Sequence, residues 1–251
     1  MILYLTSSPC IDGAPRAILN PANDFLNRLR EDLPENPRCL FIASNPFDRA
    51  GTCEFGSHMF IAFAEAGFPF SRYSILDGYN DEEAADLIRD SDLIILAGGQ
   101  VPTQNGFFLG IGLPQLLQEY DGVVMGISAG SMNSAETVYV QPEEPGETVD
   151  PDYQRFAPGL GLTHINVLPH YQKVKDNILD GKRLFEDVTY PDSMGNTFYA
   201  LPDGSYFYIR DGYTLLCGKG YRLHNGILEL LALDEETMEI PEPEEWPEYD
   251  D

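Results

Sequence analysis

The stretch Val123-Val124-Met125-Gly126-Ile127-Ser128-Ala129-Gly130-Ser131-Met132-Asn133 constrains this chain more than any other. An unbroken apolar run ends in Gly-Ile-Ser-Ala-Gly, and a helix-compatible segment over residues 131–137 follows. Strand, sharp turn and helix, with G-x-S-x-G at the turn, is the pattern of a nucleophile elbow. Such a turn holds its Ser in strained backbone geometry where strand and helix approach closely, so small residues must flank it. The hydroxyl of Ser128 then stands above the sheet edge, and the N–H of Ala129 can face a developing oxyanion at the helix N-terminus. Without that chemistry the same pattern is a tight turn in an α/β domain, with Ser128 acting as a helix cap.

The segments before the elbow repeat its strand-then-helix rhythm. Residues 2–6, 39–43, 73–76 and 93–97 read as short apolar strands, the mark of a parallel sheet buried on both faces. Helical patterns at 21–30, 54–66, 82–89 and 104–120 separate them, the last broken by Gly106, Gly110, Gly112 and Pro114. The expected fold class is therefore α/β: a single-domain, mostly parallel, doubly wound sheet with helices on both faces. Residues 138–161 turn to Pro, Glu and Gly and read as a long loop. Residues 165–168 form a strand ending in Pro169-His170-Tyr171, and 199–209 read as a hairpin around Asp203-Gly204. Shorter strands at 213–216 and 226–231 are expected to lie antiparallel at the sheet edge. The domain is expected to span residues 1–233. Residues 234–251 form an acidic tail containing Pro241, Pro243 and Pro247, read as a solvated end; Trp246 and Tyr249 are the residues by which it would anchor a partner.

Composition removes several function classes. With 43% hydrophobic residues in 251, a sizeable core is expected. A net charge of −26 excludes nucleic acid and anionic membrane surfaces as partners, since both would repel it. No run approaches the roughly 20 apolar residues of a spanning helix. The opening Met1-Ile2-Leu3-Tyr4-Leu5-Thr6 lacks the basic region of a secretory signal, so a cytoplasmic protein is expected. Cys10, Cys39, Cys53 and Cys217 are scattered without a CxxC pair, which suggests reduced thiols and no zinc or redox centre.

A nucleophilic Ser128 needs a base. Of the four histidines, His58 falls in a helix and His224 at a turn, whereas His164 and His170 flank one strand. His170 follows the strand's C-terminal end, the rim where ligands bind in open α/β sheets, and is favoured over His164. A third group must orient the imidazole and stabilise the imidazolium. Asp203 ends a later strand, though an Asp-Gly turn prefers that residue anyway; Glu143 and Glu144, after the elbow helix, are rivals. Gly98-Gly99 can present a backbone N–H as the second half of an oxyanion hole, or serve as a flexible turn. No GxxxxGK[ST] or GxGxxG phosphate cradle occurs at any strand-to-helix junction.

Three separated motifs, residues 93–99, Gly126-Ile127-Ser128-Ala129-Gly130-Ser131 and Leu168-Pro169-His170-Tyr171, together resemble the peptidase S51 family, which includes aspartyl dipeptidase (peptidase E) and cyanophycinase. The resemblance implies a fold similar to class I glutamine amidotransferases, with Ser where those enzymes have a nucleophilic Cys. It implies Ser128 as nucleophile, His170 as base and Gly99 and Ala129 as oxyanion donors, with no metal or organic cofactor. Asp203 would be the acid, with Glu143 as the alternative. The sequence departs from the family after the double Gly, where Gln100-Val101-Pro102-Thr103-Gln104-Asn105 replaces an Asn-containing turn, so specificity does not transfer. Family substrates are short peptides with an N-terminal Asp, or β-aspartyl peptides. Binding that carboxylate calls for a cation, for which Arg49, Arg155, Lys173 and Lys175 are the candidates. The expected function is a serine peptidase acting on small peptides, with homo-oligomer formation left open. Two other readings stand beside it: a non-catalytic amidotransferase-like domain binding a metabolite or partner, and an α/β-hydrolase, in which the acid precedes the His in the chain.

Overall fold

The computed structural model describes residues 1–241. Strands β1 (Ile2–Thr6), β2 (Arg38–Ile42), β3 (Arg72–Leu76), β4 (Leu93–Leu96) and β5 (Val123–Ile127) run parallel in the spatial order β1-β5-β4-β2-β3. Helices α1 (Phe25–Asp32), α2 (Arg49–Glu65), α3 (Ala84–Arg89), α4 (Val101–Gly110) and α5 (Leu113–Leu116) lie between them, and α6 (Ala129–Asn133) follows the elbow. All four residues of β4 and all five of β5 are buried, as apolar runs covered on both faces must be. Alternate residues serve opposite layers. Tyr4, Phe41, Ile95 and Met125 pack with Phe25 and Leu29 of α1 and Met59 and Phe63 of α2. Leu40, Ile94, Leu96 and Val124 pack with Leu87 of α3 and Phe108 of α4. The sheet is doubly wound, as its sequence pattern requires.

Beyond α6 the chain forms a two-stranded pair, β6 (Thr137–Tyr139) with β7 (Phe156–Pro158), so the Pro-rich loop is closed at its base. Then come β8 (Val167–Leu168), α7 (Tyr171–Val174), the short pair β9 (Ile178–Leu179) and β10 (Lys182–Arg183), a π-helical turn and α8 (Tyr190–Asp192). The last strands are β11 (Thr197–Ala200), β12 (Tyr206–Arg210), β13 (Tyr213–Cys217), β14 (Gly220–His224), β15 (Ile227–Ala232) and β16 (Thr237–Glu239). They divide between two sheets. β12, β13 and β16 extend the main sheet antiparallel beyond β1, whereas β15-β14-β11-β8 is a separate four-stranded sheet.

Several expectations are corrected here. The segment 199–209 is no hairpin: β11 pairs with β8 and β14, and β12 pairs with β1 and β13, so the Asp203-Gly204 turn bridges two sheets. The turn still requires its glycine, because Gly204 has φ +90° and a Cβ there would lie 2.6 Å from Asn20 Nδ2. The strand at 227–232 belongs to the small sheet and not to the edge of the main one. The helix at 104–120 is two, broken where Gly112 takes φ +67°. The helix after the elbow stops at Asn133, and the β-favouring Thr137-Val138-Tyr139 is a strand. Part of the acidic segment after Asp234 is ordered, since Thr237–Glu239 pairs with β13. Trp246 and Tyr249 lie outside the described residues.

Candidate active site

The register makes the parallel strands end level: Thr6 lies opposite Ile127, and Leu96 is aligned with both Gly126 and Ile42. Ser128 follows β5 at this rim with φ 51° and ψ −110°, a conformation a non-Gly residue adopts only under constraint. The constraints are visible. Its N–H donates to Thr6 O (3.0 Å), and its carbonyl accepts from the N–H groups of Ser131 and Met132 (2.9 and 3.1 Å). A Cβ on Gly126 would lie 2.6 Å from Ser131 N, and one on Gly130 would run into the Leu96 carbonyl, so both flanking glycines are sterically required. Gly98 sits beside the elbow, where an added Cβ would be 3.3 Å from Ile127 O and 3.5 Å from Ser128 Cβ. Behind the elbow, buried Asn133 donates to Gln104 Oε1 (3.0 Å) and Val101 O (3.2 Å) and accepts from Asn105 (3.1 Å), which pins α6 to α4.

His170 arrives from the other sheet. It follows β8, caps α7 and has φ 57°, held there by its N–H donating to Ser7 Oγ (2.7 Å). Its Nε2 is 2.9 Å from Ser128 Oγ, and its Nδ1 is 2.6 Å from Asp203 Oδ1. Three residues separated by 42 and 33 positions thus form one hydrogen-bonded chain. With Asp203 ionised, Nδ1 carries the proton and Nε2 faces the hydroxyl as acceptor. Burial pushes the Asp203 carboxyl up, but the hydrogen bonds from His170, Lys173 and Ser7 outweigh it and hold the group well below the usual carboxylate range.

The other candidate histidines and carboxylates stand apart from this hydrogen-bonded chain. Both ring nitrogens of His170 are occupied, and neither meets a glutamate. Glu143 keeps more than a third of its surface in solvent. Crowding by protein atoms, rather than true enclosure, pushes its carboxyl up to about 7, with Glu147 and Glu144 adding repulsion and His170 opposing. Glu144 lies exposed in the same loop. His58 lies on α2, His164 sits exposed before β8, and the His224 ring faces Thr197 and Asn196. The order Ser128, His170, Asp203 along the chain also counts against the α/β-hydrolase reading, which requires acid before His.

The oxyanion candidates stand at the same rim. Ala129 is the first residue of α6, whose N–H has no intrahelical partner. The N–H of Gly99 meets no backbone carbonyl among the described residues. The four candidate cations all have carboxylate neighbours: Arg49 with Asp77 (3.5 Å), Arg155 with Asp192 (3.5 Å) and Lys175 with Asp176 (3.9 Å). Lys173 bridges Asp203 and Asp12, each at 2.7 Å, so it belongs to the acid and not to a free pocket. No group of three or more His, Cys, Asp or Glu among the described residues is arranged to hold a metal ion. A concavity of about 480 Å³ beside Arg38, Asp92 and Tyr120 lies where β2, β4 and β5 begin, at the end of the sheet opposite Ser128. It is not near this chemistry. Sequence reasoning missed Ser7; its one available signal was position, at the C-terminal end of β1 on the ligand-binding rim.

A doubly wound sheet with a strained Ser turn after a central strand, a His on the Ser Oγ and a carboxylate on the far ring nitrogen places the chain in the class of α/β proteins with an elbow at the sheet rim. Within that class, the model of peptidase family S51 matches residues 5–216, and the chain belongs to that family. Membership supports a peptidase, hence a hydrolase. The fold is similar to the crystal structure of a "Putative Peptidase E Protein" from Listeria monocytogenes EGD-e, with a TM-score of 0.57 and 17% identity over 92% of this chain and 98% of that one. No curated protein matches the sequence. No helix among the described residues is long and apolar enough to cross a membrane.

Proposed function

We propose that this chain is a serine-type peptidase that hydrolyses short peptides through an acyl-enzyme. The observation that supports this most is the continuous chain Ser128 Oγ, His170 Nε2, His170 Nδ1, Asp203 Oδ1, at 2.9 and 2.6 Å. Ser128 Oγ attacks the peptide carbonyl carbon while its proton passes to His170 Nε2. The carbonyl oxygen becomes an oxyanion facing the N–H groups of Gly99 and Ala129. The C–N bond breaks as His170 returns the proton to the leaving amine. Water then attacks the ester, giving its proton to His170, and the acid product leaves as Ser128 regains a proton. Asp203 stays ionised throughout and stabilises the imidazolium.

A preference for N-terminal Asp or β-aspartyl peptides rests on the family alone. Arg49, Arg155, Lys173 and Lys175 each face a carboxylate already, so such a substrate would share its cation with a side chain of the protein. The test is incubation of a dipeptide library, weighted toward α- and β-Asp N-termini, with mass-spectrometric readout for wild type and Ser128→Ala. Peptides consumed by wild type and spared by the variant, with turnover lower by at least about 10⁴-fold, are expected. Equal consumption by both proteins would reject the Ser mechanism. Consumption by neither, with ligand binding retained, would favour a binding domain.

A further inference from the structure

Thr6, the last residue of β1, and Ser7, which follows it, together touch all three members of the Ser-His-Asp chain. Thr6 supplies the carbonyl that accepts from Ser128 N–H (3.0 Å) and from Ser131 Oγ (2.8 Å), which fixes the elbow. Ser7 is fully buried. Its Oγ accepts from the backbone N–H of His170 (2.7 Å) and lies 2.8 Å from Asp203 Oδ1. The direction of these bonds is not ambiguous. An ionised carboxylate can only accept and a backbone N–H can only donate, so the single hydroxyl proton must point at Asp203 while a lone pair meets His170. The Ser7 backbone is fixed as well, with its N–H on Ser205 O (3.2 Å), two residues after Asp203.

We infer that Ser7 is a positioning residue that sets the His170–Asp203 pair against Ser128. The inference rests on the proposed peptidase reading for its kinetic consequences but not for its geometry. His170 has a left-handed backbone with a side chain attached, an uncommon conformation that its N–H bond to Ser7 Oγ helps to hold. Asp203 lies in a turn between strands of different sheets, so strand pairing alone does not aim its carboxylate. The Ser7 hydroxyl ties both to β1, and the parallel register of β1 with β5 ties β1 to Ser128. Asp203 also accepts from Lys173 through Oδ2 (2.7 Å), but Lys173 is half exposed and shared with Asp12, so it restrains charge more than position. Ser7 Oγ is therefore a buried link that ties the His170 backbone and the Asp203 carboxylate together to the strand layer that carries the elbow, beside the backbone bonds of Ser7 N–H to Ser205 O and Gly204 N–H to Ser8 O.

The experiment compares wild type, Ser7→Ala and Ser7→Thr by two readouts. The first needs no substrate: proton NMR of the hydrogen-bonded Nδ1–H of His170, assigned by its absence in His170→Ala. In Ser7→Ala the carboxylate loses a restraint, and the resonance moves upfield or broadens through faster exchange. In Ser7→Thr, which keeps the hydroxyl, it returns toward the wild-type position. The second is turnover on whatever peptide the library identifies, where Ser7→Ala lowers kcat by about 10- to 100-fold with KM little changed, as expected when reacting groups are displaced by up to about 1 Å. An unmoved resonance in folded Ser7→Ala overturns the inference, as does a Ser7→Thr resonance that remains displaced in a protein with wild-type thermal stability. A resonance that shifts as expected in a wild-type background that cleaves nothing keeps the inference and rejects the peptidase reading instead.

Discussion

Replacing Asp203 with Asn separates the acid's charge from its shape. In the native site Oδ1 accepts from His170 Nδ1 (2.6 Å) and Ser7 Oγ (2.8 Å), and Oδ2 accepts from Lys173 Nζ (2.7 Å). An amide has one acceptor oxygen and one donor nitrogen, so it has two placements. With oxygen toward His170 and Ser7, the tautomer survives, but the amide N–H₂ confronts the Lys173 ammonium and the negative charge that stabilises the imidazolium is gone. With nitrogen toward His170, Nδ1 must accept; its proton moves to Nε2, which can then no longer accept from Ser128. The first placement removes a charge-assisted hydrogen bond and the second removes the base itself. The expected loss in kcat is therefore about 10²- to 10⁴-fold, equivalent to about 2.7–5.4 kcal/mol of barrier. Lys173 is half exposed and can turn to Asp12 alone, which eases the first placement and puts the weight toward the lower figure. The assay is steady-state turnover of Asp203→Asn beside Glu143→Gln, with circular dichroism to show that both are folded. If Asp203→Asn keeps kcat within about threefold of wild type while Glu143→Gln loses activity, the assignment of the acid is wrong.

Three further outcomes follow from the geometry. Gly130→Ala drives a methyl toward the Leu96 backbone, with Leu96 C and Cβ both at 2.8 Å. It should destabilise by about 1–3 kcal/mol and lower Tm by several degrees in a thermal melt; an unchanged Tm would contradict the packing described at the elbow. Gly106→Ala is the opposite case, since that helical position in α4 has open space around it. It should raise stability by about 0.5–1 kcal/mol. The pH dependence of Tm should show two carboxylates of opposite sign. Asp203, depressed in the fold, contributes stability that is fully present above its ordinary value of 3.8 and is lost as pH falls through its folded value. Glu143, raised from 4.5 to about 7, binds its proton more tightly in the fold, so stability declines as pH rises across that window. Glu143→Gln should flatten the decline, and a slope unchanged in that variant would remove Glu143 as its source.

The parallel half of the fold was legible because its signals are local. A run such as Leu93-Ile94-Ile95-Leu96 needs burial on both faces whatever its partners, and the elbow announces itself through steric demands on Gly126 and Gly130. His170 and Asp203 could also be singled out as candidates, because the one follows a strand and the other sits in an Asp-Gly turn, and the fold brings them within 2.6 Å of each other. What the sequence hid was pairing at long range. Nothing in residues 199–209 says that the two flanking strands enter different sheets, since period-2 alternation looks the same beside either partner. Ser7 was hidden for a related reason. A lone Ser after a strand has no signature until a chain neighbour 163 positions away and another 196 away are brought onto its hydroxyl. Lys173 is one of four candidate cations by sequence, and proximity to the rim cannot reveal that Asp203 and Asp12 both meet it.

The seat of the site on Thr6 and Ser7 has a consequence for biosynthesis. These residues leave the ribosome early relative to everything they hold: Gly126, which accepts from the Thr6 hydroxyl, follows 120 positions later, and Asp203 follows Ser7 by 196. Strand β1 has both its neighbours in the sheet far downstream, so it stays unpaired through most of translation and closes only against β5 and β12. Until the segment carrying Asp203 has been made, His170 Nδ1 and Ser7 Oγ lack the carboxylate that both meet in the folded chain. The hydrogen-bonded chain from Ser128 through His170 to Asp203 can therefore form only after the segments of both sheets have been made.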